Sequence, residues 1–183
     1  QYPRGSISSS DGVTIAKSRP IKGIYKYQRY YPFGPVYAPV TGYDSLYSAT
    51  GIEQAENKLL QGTDPKLAVR NLIDLVTGKP QQGASVQLTI DSRAQQAAYA
   101  ALKTLGKSGA VVALNPQNGA ILALASYPSF DPNGYATFNG PQLNKTDARY
   151  RRDPNQPLLN RAINATYPPG STFKIVTSST ALQ

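Results

Sequence analysis

The sequence predicts a mixed α+β chain in two parts: an extended, β-rich N-terminal region over 1–84, then an α/β layer over 85–183 in which helices cover a sheet. Three observations predict it. Before residue 51 the apolar residues come in short β-like stretches broken by Pro and Gly. After residue 85 an alanine-rich helical pattern is followed by two continuous apolar runs around a turn signal. Between them, "KPQQGAS" (79–85) is the best candidate for a boundary.

The elements follow in chain order. "YKYQRYY" (25–31) reads as a strand with Tyr on one or both faces, since Tyr is a strong strand former. "GIEQAENKLLQG" (51–62) reads as a helix, with Ile52, Ala55, Leu59 and Leu60 on one face and Gly62 as its stop. In "GTDPKLAVRNLIDLVTG" (62–78), Thr63 or Asp64 caps a second helix, Pro65 fits its first turn and Gly78 closes it. "VQLTID" (86–91) is a strand, and Asp91 then caps a helix over 92–105. That helix has Ala94, Ala97, Ala98, Ala101, Leu102 and Leu105 as its apolar face. "GAVVALNPQNGAILALASYP" reverses at Asn118-Gly119 into a hairpin, and strands without alternation imply cover on both faces. Residues 127–170 read as loop-rich, and "STFKIVTSSTAL" starts a last helix with Phe173, Ile175, Val176, Ala181 and Leu182 as buried contacts.

Composition restricts the chemistry. There is no Cys and no His, which excludes a thiol nucleophile, a Ser-His-Asp triad and both thiolate and imidazole metal ligands. No metal and no cofactor is expected. Acid–base work would fall to Lys, Asp, Glu or Tyr. The net charge of +9 favours anionic partners in general, but the basic residues are scattered and nucleic-acid binding is not expected. No apolar run is long enough to span a membrane. The chain opens on Gln1 rather than Met, so an upstream segment carrying any anchor or targeting signal is expected to have been removed.

Ser171 and Lys174 stand at i and i+3 where the last helix starts, which brings them to one face. A serine in a first helical turn meets the positive end of the helix dipole, which favours developing negative charge. A lysine accepts a proton only in its neutral form, which burial favours. The serine could then attack a carbonyl and form an acyl-enzyme, with backbone N–H groups holding the oxyanion. Taken alone the pair also reads as a capping serine followed by a solvated lysine, and chance supplies about one Ser-x-x-Lys in a chain of this composition.

The surroundings separate these readings. "NRAINATYPPGSTFK" (160–174) resembles the stretch around the active serine of the penicillin-binding proteins, Ser-Lys acyltransferases. Upstream and in order, "RGSISSSDGVTIA" (4–16) is similar to the Arg-Gly opening motif of their class B, monofunctional members. "RYYPFGPVYAPVTGY" (29–43) and "GIEQAENKLLQG" are similar to the next two motifs of that class's non-catalytic pedestal. "VQLTID", "GAVVALNPQNGAILALASYPSFDPN" and "NRA" resemble the start of its transpeptidase domain. Two motifs of the family do not follow. Ser-x-Asn occurs nowhere, and the one Lys-Ser-Gly, at 107–109, precedes the serine and reads as an ordinary turn. The resemblance is therefore to the front portion of a class B enzyme: a pedestal over 1–84 and a truncated transpeptidase domain over 85–183.

That resemblance implies a peptidoglycan D,D-transpeptidase of the bacterial division or elongation machinery. It would act outside the cytoplasmic membrane and be held there by an N-terminal helix absent from these residues. Ser171 would be the nucleophile and Lys174 the general base; D-Ala-D-Ala stem peptides and β-lactams would acylate the serine. Cell-wall synthesis proteins are the expected partners. A β-lactamase uses the same pair but places it near the N-terminus, far earlier than position 171. The alternative of a different class is a non-catalytic docking module whose region 1–85 binds that machinery. From the residues themselves we expect Arg4 to hold Glu53 or Glu56 as a structural pair, because a bidentate contact would tie the chain's start to the 51–62 helix.

Overall fold

The structure, a computed structural model, describes residues 2–68, 73–74, 77–78 and 82–182. The N-terminal region is built on a four-stranded sheet, β1 (Ile7–Ser8), β2 (Thr14–Pro20), β3 (Tyr27–Tyr30) and β4 (Val86–Gln87), in the order β3-β2-β1-β4. β1 runs antiparallel to β2 and parallel to β4, with Ile7 opposite both Ala16 and Val86. "VQLTID" thus completes the first sheet, and only its far end reaches the second region: Thr89 Oγ1 donates to the Ile121 carbonyl and Asp91 N–H to that of Leu122. Ile7, Ile15, Ala16, Tyr31, Tyr37 and Leu60 pack with Ile90 and Ala136, so one core draws on both sides of residue 85.

After β3 come α1 (Ala38–Thr41), α2 (Gly51–Ala55) and α3 (Asn57–Gln61). The helix expected over 51–62 is interrupted at Glu56, where φ is −102° and ψ 24°. Its face is also turned: Glu53 and Leu60 are buried, Ile52 is half-buried and Ala55 is exposed. The physical reason is that α2 must aim Glu53 at two buried guanidinium groups, a demand that apolar periodicity does not register. Of the helix expected over 65–77, residues 69–72 and 75–76 lie outside the described residues. Its start is a 3-10 turn, Pro65–Leu67, capped by Asp64 accepting from Lys66 N–H. Residues 79–81 of the proposed boundary segment 79–85 also lie outside them.

In the second region α4 (Ser92–Leu105) starts as expected, with the Asp91 carboxylate accepting from the N–H groups of Arg93 and Ala94 at 2.9 Å. Its buried side chains are Ser92, Gln95, Tyr99 and Leu102, whereas Ala97, Ala101 and Leu105 face solvent. Gln95 explains the rotation. It donates to the carbonyls of Val36 and Leu124 and accepts from Leu124 N–H, so a polar side chain sits fully buried on the packed face. β5 (Gly109–Leu114) and β6 (Ile121–Tyr127) form the expected hairpin through Asn115–Gly119. Of the two strands only β6 is covered over 123–126; Val112 and Leu114 of β5 are exposed.

The stretch expected to be loop-rich contains a 13-residue helix, α5 (Gly140–Arg152), and a short α6 (Arg161–Asn164). Asn139 caps α5 by accepting from Gln142 N–H. Leu143 and Tyr150 are its only large apolar side chains, too few to show a period. They suffice because they join an aromatic stack in which Tyr135 lies on Tyr43 at 4.0 Å with Phe130 edge-on. α7 (Lys174–Ala181) ends the fold.

Candidate active site

Ser171 lies in a 3-10 turn, Gly170–Phe173, that runs directly into α7, and Lys174 is the first residue of that helix. Pro168 and Pro169 lead into the turn, and Pro169 already has helical backbone angles, φ −67° and ψ −24°. The turn then closes on itself: Thr172 N–H and Oγ1 both donate to the Pro169 carbonyl, and Lys174 N–H donates to the carbonyls of Ser171 and Thr172. Ser171 and Lys174 therefore stand one turn apart at a helix start. Both are exposed, as is every described residue from 166 onward. Ile175 is 73% exposed, so among the described residues nothing seals the face carrying Phe173, Ile175 and Val176.

What leads into this turn is firmly anchored. Arg161 is buried, and its guanidinium donates to the carbonyls of Asn155 (2.6 Å), Gln156 (3.2 Å), Leu159 (3.3 Å) and Pro128 (3.4 Å). Its backbone N–H donates to Ser126 Oγ on β6. Asn160 Nδ2 donates to the Pro39 carbonyl of α1, tying the same segment to the N-terminal region. The sequence singled out "NRA" as a motif without a role for its arginine. The signal available was an arginine flanked by apolar residues, with no acid in "LLNRAINA". A cavity of about 360 Å³ lies beside this anchor, among Pro39, Tyr43, Ser126, Phe130, Leu158 and Ile163. Its lining stops at Asn164, so it is not the cleft of Ser171.

Arg4 binds within the N-terminal region. Its Nε donates to Glu53 Oε2 at 2.7 Å, one terminal nitrogen to the Glu53 carbonyl and the other to Asn57 Oδ1. Glu56 sits at the break after α2 and is not among these partners. The other oxygen of Glu53 accepts from Arg29 Nε at 2.6 Å and from the Tyr31 hydroxyl at 3.2 Å. Burial, with the Glu53 charge beside it, pushes the Tyr31 hydroxyl well above the usual phenol range. The interleaved basic and aromatic residues of 25–31 are thus partly turned inward. Lys107-Ser108-Gly109 links α4 to β5, as a turn.

Two families match this chain. Residues 4–86 match the one described as "Penicillin binding protein A dimerisation domain", and residues 109–183 the "Penicillin binding protein transpeptidase domain". The chain is 46% identical to the peptidoglycan D,D-transpeptidase PbpA of Mycolicibacterium smegmatis, over 98% of this chain and 37% of that protein. It is 35% identical to the peptidoglycan D,D-transpeptidase MrdA of Escherichia coli, over 88% of this chain and 29% of that one. Among solved structures, the penicillin G acyl-enzyme complex of penicillin-binding protein A from Mycobacterium tuberculosis superposes with a TM-score of 0.96 at 45% identity. It covers all of this chain and 42% of the other. The chain spans less than two fifths of the length of these curated relatives.

Proposed function

Since the chain belongs to the class B penicillin-binding proteins, with their dimerisation region followed by the start of their transpeptidase domain, we propose that it carries the nucleophile and base of a peptidoglycan D,D-transpeptidase. Ser171 Oγ attacks the carbonyl carbon of the penultimate D-Ala of a stem peptide. Lys174 Nζ, neutral at that moment, takes the hydroxyl proton and passes it to the departing D-Ala nitrogen. The amine of a second stem then attacks the ester, loses its proton and forms the cross-link, while Ser171 Oγ is re-protonated. A β-lactam enters the same first step, but its ring nitrogen stays tethered to the acyl group. This reading locates the protein on the outer side of the cytoplasmic membrane, where stem peptides are. No described helix is itself long and apolar enough to cross a membrane.

The observation that carries the proposal is the 3-10 turn into α7, which begins with Ser171 and Lys174 one turn apart on an anchored lead-in. It is supported by the penicillin G acyl-enzyme complex of a relative whose backbone superposes over this chain. The test uses the full-length protein and a fluorescent penicillin. Ser171→Ala abolishes labelling with an unchanged circular dichroism spectrum, and Lys174→Ala slows acylation by about a hundredfold or more. Mass spectrometry finds the adduct on the peptide containing Ser171. An adduct on any other residue, or undiminished labelling of Ser171→Ala, overturns the assignment.

A further inference from the structure

The arm formed by β2 and β3 is the most cationic stretch of the chain. No acidic residue occurs between Asp11 and Asp44, while Lys17, Arg19, Lys22, Lys26 and Arg29 are five of the chain's nineteen cationic residues. Arg29 turns inward onto Glu53; the other four are exposed. Among the described residues no carboxylate is within ion-pair distance of Lys17, Arg19 or Lys22. Arg19 lies over the ring of Tyr30, which holds its charge on the outer face of the arm.

The tip has a fixed shape. Ile21 N–H donates to the Lys26 carbonyl at 2.9 Å and closes the four-residue loop Lys22-Gly23-Ile24-Tyr25. Gly23 has φ +126°, a conformation that a side chain would strain. The Tyr25 ring stacks on Phe138 at 4.0 Å with the planes 5° apart, so the loop is braced from the second region. Ile24 is held outward at 96% exposure between cations, instead of folding back on the strand.

We propose that this arm docks on an anionic membrane surface, with Lys17, Arg19 and Lys22 meeting lipid phosphates and Ile24 entering the boundary between headgroups and acyl chains. Cations near an anionic leaflet and an apolar side chain at the same edge act together, each being weak alone. The lipid surface is favoured over an acidic protein because a protein interface has a contiguous apolar core, and the tip offers one isolated apolar side chain ringed by charge. Single-stranded nucleic acid is disfavoured because Tyr31 is buried and Tyr30 lies under Arg19.

The 183-residue chain has no cysteine, so Ile24→Cys accepts a single fluorophore, with Gln117→Cys on the β5–β6 turn and Ser178→Cys on α7 as controls. Vesicles of phosphatidylcholine with about 30 mol% phosphatidylglycerol and a nitroxide-labelled lipid are added. The label at position 24 is quenched and the label at 117 is not, and pure phosphatidylcholine vesicles leave both unchanged. In co-sedimentation without labels, Lys17→Gln/Lys22→Gln and Ile24→Asp each weaken binding by about tenfold or more. Quenching confined to the α7 label, or equal binding to uncharged vesicles, overturns the proposal. So does vesicle binding that the variants leave unchanged, or arm-dependent binding to soluble polyglutamate that Ile24→Asp does not alter.

Discussion

Glu53 is fully buried with a different arginine on each carboxylate oxygen, Arg4 on one and Arg29 on the other. Removing its charge leaves the Arg29 guanidinium out of water without a counter-ion and Arg4 with only the more distant Asp44. Glu53→Gln is therefore expected to cost about 3–5 kcal/mol in urea denaturation. Asp44 lies 3.7 Å from Arg4 but has the opposite balance: burial raises its pKa, and Arg4 opposes this incompletely. A carboxyl raised in the folded state contributes stability below its unfolded pKa and loses it as pH rises through the folded one. At pH 7 Asp44 is thus a net cost, and Asp44→Asn is expected to leave the melting temperature unchanged or higher. A drop comparable to that of Glu53→Gln would show that Asp44 is part of the ion cluster's support.

At the scale of elements, the Arg-Gly opening has a structural cause for both residues. Arg4 serves Glu53, while Gly5 passes so close to the 83–84 segment that a Cβ would lie 1.9 Å from the Ala84 carbonyl oxygen. Gly83 meets Leu60 as tightly on the other side, and Gly5 N–H donates to that Leu60 carbonyl at 2.8 Å. Three backbones meet there without room for side chains. Gly5→Ala is expected to push β1 away from β4 and to destabilise by roughly 2 kcal/mol or more through forced backbone shifts. Hydrogen exchange at Val86 and Leu88, which donate to the Ser6 and Ser8 carbonyls, should rise with it. Protection unchanged at both amides would contradict this account of the glycine.

For the whole molecule, the two regions are joined by polar contacts as well as by the shared core. Asp11, in the turn before β2, accepts from the backbone N–H and the hydroxyl of Ser92 at the start of α4. Gln95 spans from α4 to Val36, and Gln28 Nε2 donates to the Ala136 carbonyl. Both regions should unfold in one transition, seen as coincident far-ultraviolet and tyrosine-fluorescence curves. The Ser9 hydroxyl, followed by that of Ser92, holds the Asp11 carboxyl down to about 2 from an ordinary 3.8. A lowered folded pKa contributes stability above about pH 3.8 and loses it as pH falls toward 2. Asp11→Asn is expected to flatten the decline in stability between those two values. An unchanged slope would place the acid sensitivity elsewhere.

The elements with strong local signals were legible without a fold: the helix after Asp91, the Asn-Gly hairpin, the strand through Tyr27–Tyr30, and Ser171-x-x-Lys174 at a helix start. Each depends on neighbours within a few residues, through a cap, a turn or a period. So too, through its order of motifs, was the family. What the tertiary structure decided was which face each helix buries, because Glu53 and Gln95 are polar and only their distant partners, Arg4, Arg29, Val36 and Leu124, make burial favourable. It also decided that Val86–Gln87 completes the first sheet, that α5 is a helix on the strength of two aromatic-cluster contacts, and that Arg161 anchors the path to Ser171. Periodicity averages over a window of sequence. A buried charge or amide is paid back by one contact that sits dozens of residues away.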